Sequence, residues 1–131
     1  MDEIREFLHR GGKIMGICNG FQILCELGLL PGVLALNNSG RFDSRWVDVK
    51  FQNKILHLPI AHAEGRLVFK DSDAIYPAMH YVQNPNGSER DIAGLRDKSG
   101  QIFGLMPHPE RACLPEHKSQ DGLTILNAFL A

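Results

Sequence analysis

Cysteine is scarce and unpatterned in this chain. Only Cys18, Cys25 and Cys113 occur among 131 residues, and none belongs to a CxxC pair. An odd count without paired spacing argues against a disulfide framework and against a zinc knuckle. Charge of one sign is lacking too. Fourteen Lys and Arg face 15 Asp and Glu, a net charge of −1, with no basic run and no acidic tail. Neither nucleic acid nor a membrane surface is indicated as a partner. Apolar runs fall far short of the ~20 residues that cross a bilayer. The opening MDEIREFLHR is charged and amphipathic, unlike a signal peptide. What remains is a reduced, cytoplasmic protein. Its 44% apolar content and 131 residues suit a single domain, 1–131, with a proper core.

The patterning alternates helix and strand. In DEIREFLHR, Ile4, Phe7 and Leu8 share a helical face that Gly11-Gly12 ends. KIMGI, 13–17, reads as a short buried strand. NGFQILCELGLL then reads as a helix, with Phe21, Leu24, Cys25 and Leu29 at helical spacing and Gly28 or Pro31-Gly32 as its stop. Strands are expected over 41–51, 55–62, 66–69, 79–83 and 101–106, with DKSG, 97–100, as a hairpin connection. A last helix spans SQDGLTILNAFL, with Leu123, Ile125, Leu126, Phe129 and Leu130 inward. The expected fold is a three-layer α/β domain with a partly parallel sheet. Strand 13–17 should be central in it, with Cys18 at its C-terminal end.

Gly16-Ile17-Cys18-Asn19-Gly20 has the spacing of a nucleophile elbow. A strand that turns straight into a helix strains its central residue, and glycines on both sides relieve the crowding. Such a turn sets the sulfur at a helix N-terminus, where free N–H groups and the dipole favour thiolate. It also aims the Asn19 N–H where an oxyanion would form. Gln22, one turn up on the same face, brings an amide near the sulfur. A buried cysteine in a glycine-rich turn explains the stretch equally well. Cys25 and Cys113 lack flanking glycines and read as packing residues.

A thiol nucleophile needs a base. Among six histidines, His108 stands out, because GLMPHPER fixes it between two prolines at the end of an apolar strand. Glu110, two residues on, points the same way in an extended segment and can hold the imidazole tautomer. An exposed loop histidine beside a capping Glu is the alternative. His62 in PIAHAEG, with Glu64 after it, is a competing pair of the same form.

Together GICNGFQIL and GLMPHPER resemble the class I (triad-type) glutamine amidotransferases. With NNSGRF..RWV, PIAHAEGR, NPNGS and IAGL between them, they are similar to the glutaminase subunits of phosphoribosylformylglycinamidine synthase, from purine biosynthesis. The resemblance runs along essentially the whole chain and implies a flavodoxin-like amidotransferase domain with a mixed sheet. It implies that Cys18 attacks the glutamine carboxamide to form a γ-glutamyl thioester, with His108 as base and then acid and Glu110 orienting it. Asn19 would supply an oxyanion donor, while Gln22 and Phe42 would line the substrate pocket. No cofactor is implied in this subunit. ATP and magnesium would be used by the partner synthase large subunit, which acts with a small accessory subunit and receives the ammonia. Ser44 and Ala63 depart from the family wording. So does the start, because family members carry earlier strands and a PGGFSYGD-like loop with a second oxyanion donor. The expectation is therefore an N-terminally truncated domain that self-associates, or takes a partner strand, through a bared sheet edge and turns over slowly. A fragment serving only as a binding partner, and another thiol hydrolase built on the same elbow, remain as further readings.

Overall fold

The structure, a computed structural model, describes residues 1–131. Helix α1 (Asp2–His9) leads into strand β1 (Ile14–Ile17), helix α2 (Asn19–Glu26) and strand β2 (Val33–Ala35). Strands β3 (Asp43–Phe51), β4 (Lys54–His62), β5 (Arg66–Val68), β6 (Tyr76–Tyr81), β7 (Ile92–Arg96) and β8 (Ile102–Leu105) follow, and helix α3 (Gly122–Leu130) closes the chain. Six strands form a sheet in the order β1-β8-β7-β6-β3-β4. Only β1 and β8 run parallel, with Ile17 opposite Leu105, and the other pairs are antiparallel. No helix is long and apolar enough to cross a membrane.

The layering follows from which side chains the strands alternate. Phe103 and Leu105 point to one face, where Ile125 of α3 joins Val47, Val49, Leu58, Ile60 and Met79. Ile102 points to the other, where Phe21 and Leu24 of α2 pack with Leu30, Leu67, Ile92 and Leu95. Gly104 faces α2 so closely that a Cβ there would come within 2.4 Å of the Phe21 ring. The result is the expected three-layer α/β arrangement. The sheet also curls. β8 and β4 have β7, β6 and β3 between them, yet the His108 N–H, just past β8, donates to the Pro59 carbonyl on β4 at 2.9 Å.

Several expectations need correction. β1 is an edge strand here, paired with β8 alone, rather than central. β2 went unforeseen, because three residues paired only with β5 carry no readable alternation. Of the two stops expected for α2 the earlier one holds: the helix ends at Glu26, where Gly28 at φ 74 gives the left-handed turn. Leu123 and Leu130 of α3, expected inward, face outward. The two elbow glycines are also unequal. A Cβ on Gly16 would meet the Gly20 carbonyl oxygen at 2.6 Å and Leu24 at 2.5 Å, whereas one on Gly20 would meet nothing within 4 Å.

Gly16→Ala should therefore cost about 1–3 kcal/mol through overpacking, read as a lower urea midpoint. Gly20→Ala, inside a helix, should leave the midpoint unchanged or raise it.

Candidate active site

Cys18 is one of four non-glycine residues with positive φ. It lies between β1 and α2 at φ 55 and ψ −106, a left-handed conformation for a residue that carries a Cβ. Three backbone bonds enforce it. Its N–H donates to the Leu105 carbonyl at 2.7 Å, extending the β1–β8 pairing by one residue, and its carbonyl accepts from Phe21 and Gln22 to open α2. The side chain is thereby thrown clear at the helix N-terminus. There the Asn19 N–H has no intrahelical carbonyl to bond. The Cys18 thiol points to the Ala61 carbonyl of β4, 3.6 Å away, so the curl brings both ends of the strand order to one sulfur.

The His108 ring is 10% exposed, and its Nδ1 lies 2.9 Å from Glu110 Oε2. A carboxylate only accepts, so Nδ1 donates and Nε2 is the free nitrogen. Nε2 is buried with no hydrogen-bond partner. The His108 pKa is pushed up to about 9, by the Cys18 sulfur first and the Glu110 carboxylate second, with burial opposing them. Those two causes differ in kind. The Glu110 bond is formed, whereas the Cys18 thiol is turned to Ala61 and makes no bond to Nε2. Cys18 therefore raises His108 as a neighbouring sulfur able to pair with an imidazolium, and Glu110 is the fixed support. Burial would raise the Glu110 carboxyl, but the His108 hydrogen bond and charge outweigh it and hold the carboxyl below its usual range. Arg111, 3.6 Å from Glu110, adds in the same direction.

Cys18, the Asn19 N–H, His108 and Glu110 are thus together. Gln22 is engaged differently from the expectation, since its amide nitrogen donates to the Glu64 carbonyl at 2.8 Å. Phe42, 65% exposed, precedes β3 on the surface. The His62–Glu64 pair does not form, because the His62 Nδ1 lies 3.1 Å from Asn37 Oδ1 instead. Sequence reasoning missed Asn37 and Tyr81, whose hydroxyl is buried without a partner. The only available signal was the NNSG turn holding Asn37. Cys25 is a packing thiol, pushed up to about 12 by burial first and Glu26 second. A cavity of 550 Å³ lined by Lys13, Lys50, His80, Arg96 and Phe129 touches none of the four site groups. No cluster of His, Cys, Asp or Glu has the makings of a metal site.

Against known proteins, a model for the CobB/CobQ-like glutamine amidotransferase domain matches residues 1–76 and 72–123. The chain belongs to this amidotransferase family. The PurQ subunit of phosphoribosylformylglycinamidine synthase from a strain of Prochlorococcus marinus is 43% identical over the whole chain, which spans 68% of that relative. The PurQ of Parasynechococcus marenigrum is 46% identical over 95% of the chain and 66% of its own length. The solved structure of PurLQS from Thermotoga maritima superimposes with a TM-score of 0.90 at 42% identity, covering 98% of this chain and 65% of that one. The chain thus spans about two thirds of the length of these PurQ relatives.

Within this amidotransferase, His108 should hold its proton through neutral pH and lose it as pH rises through about 9. Because that value is raised, its share of stability is complete below 6.5 and disappears as pH climbs through 9. Histidine ring NMR should show the midpoint falling in both Cys18→Ala and Glu110→Gln.

Proposed function

We propose that this chain hydrolyses glutamine through Cys18 and delivers the ammonia to a synthase subunit. The observation that carries this reading is the convergence of a strained helix-capping thiol with an imidazole already anchored to a carboxylate at 2.9 Å. Cys18 sulfur, as thiolate, forms a bond to the side-chain carbonyl carbon of glutamine. The resulting oxyanion faces the Asn19 N–H. As the C–N bond breaks, His108 passes its proton from Nε2 to the departing nitrogen, leaving ammonia and a γ-glutamyl thioester. Neutral His108 then takes a proton from water, which attacks the thioester to release glutamate and restore the starting pair of Cys18 thiolate and protonated His108. Glu110 keeps the ring oriented in both halves, and Gln22 and Phe42 are proposed to border the glutamine.

The relatives point to the recipient. The Thermotoga neighbour is a PurLQS assembly, and this chain is proposed to act with a corresponding large subunit and small accessory subunit. ATP and magnesium are assigned to the large subunit, with no cofactor in this one.

Turnover of glutamine to glutamate is the test, measured with the synthase subunits present. Cys18→Ala should abolish it. Glu110→Gln should lower kcat about 100-fold or more, with KM little changed, because it touches the base and not the substrate. A glutamine-analogue electrophile should label Cys18 stoichiometrically. Labelling by general thiol reagents but not by the analogue would point to another thiol hydrolase or a binding role.

A further inference from the structure

The catalytic set leaves one buried histidine unused. His62 ends β4 one residue past the carbonyl that faces the Cys18 sulfur. It is 4% exposed. Burial lowers its pKa first; the Asp43 carboxylate opposes that, and the charges of His108 and Arg45 add to the lowering, which prevails. The protonation of its ring can be worked out from what surrounds it. The Asn37 amide nitrogen donates to the carbonyls of Arg41 and His62, both at 2.9 Å, which settles which end of that amide is oxygen. The oxygen accepts the Gly65 N–H at 3.0 Å and lies 3.1 Å from His62 Nδ1. Nδ1 must therefore donate. In a neutral ring Nε2 is then a bare acceptor, and it is buried with no partner. Gly65 boxes the ring from behind, since a Cβ on it would lie 2.5 Å from Nδ1. An orphaned acceptor held this firmly calls for an explanation.

We propose that His62 is a further residue of the catalytic centre, its Nε2 accepting a hydrogen bond from the carboxamide nitrogen of glutamine as that nitrogen leaves. This rests on the glutaminase reading above. A lone pair selects the nitrogen end of a carboxamide, because the oxygen end has no hydrogen to offer. It also orients the group, turning the carbonyl oxygen the other way, towards the Asn19 N–H. Proton bookkeeping is unaffected. Cys18 sulfur bonds to carbon, the C–N bond breaks, His108 supplies the third hydrogen, and neutral ammonia leaves. His62 neither gains nor loses a proton. An imidazole kept neutral by burial does not convert ammonia into ammonium, so the product stays nucleophilic for the step that consumes it.

The test compares two substrates that differ only in the leaving group. Glutamine presents N–H to His62, and the γ-methyl ester of glutamate presents none. In the intact chain assembled with its synthase subunits, His62→Phe should lower kcat for glutamine about tenfold and change ester hydrolysis less than about twofold. His62→Gln, whose side-chain oxygen accepts, should recover part of the amide rate. The amide-to-ester ratio is the readout, and His62→Leu supplies it if the Phe variant fails to fold. Equal losses on both substrates would show that His62 only supports the fold and would overturn the assignment. An undiminished rate with glutamine would overturn it as well. If the unsubstituted protein hydrolyses the ester but not glutamine, or hydrolyses neither, the glutaminase reading itself fails and the assignment falls with it.

Discussion

The left-handed backbone of Cys18 is the constraint on which the site depends. A non-glycine residue held at φ 55 and ψ −106 stores on the order of 1–3 kcal/mol and persists only where its surroundings over-determine it. Here the parallel β1–β8 register fixes the residue before it, and α2 starts directly after it. The single bond from the Cys18 N–H to Leu105 ties the turn to β8. That same strand, continued by three residues, carries His108. Cys18 and His108 thus hang from one pair of adjacent strands, so their spacing is set by sheet geometry rather than by flexible loops. The curl adds β4 to the same point through Ala61 and Pro59.

The two buried histidines show how surroundings divide their tasks. His108 has a carboxylate behind it and a sulfur before it, and its pKa goes up. His62 has a neutral amide behind it and little solvent, and its pKa goes down because burial outweighs the nearby Asp43 carboxylate. One ring is thereby kept as a proton carrier and the other as a neutral acceptor. Pairs of titratable groups driven apart in this way mark separate acid–base roles.

Much of this was legible in the sequence, for identifiable reasons. Gly16-Ile17-Cys18 and Met106-Pro107-His108-Pro109-Glu110 are local devices whose geometry is written in backbone preferences, so the elbow and the His108–Glu110 hydrogen bond could be read from spacing. The hairpin of β7 and β8 was legible from its DKSG turn. What could not be read depends on contacts between distant segments. Asn37 meeting His62, and the Gln22 amide captured by Glu64, need the tertiary fold. The outward Leu123 and Leu130 show a helix more apolar than the face it buries, which periodicity alone reads as core. Gly20 taught the opposite lesson, since a motif position with a good steric story has open space around it.

The most direct test of the account is to catch the covalent intermediate. Acid-quenching a single turnover with glutamine, followed by intact-mass measurement and peptide mapping, should place one γ-glutamyl group on the peptide that contains Cys18, as a hydroxylamine-labile thioester. Glutamate formed with no adduct at any time point, or an adduct on Cys25 or Cys113 instead, would contradict it.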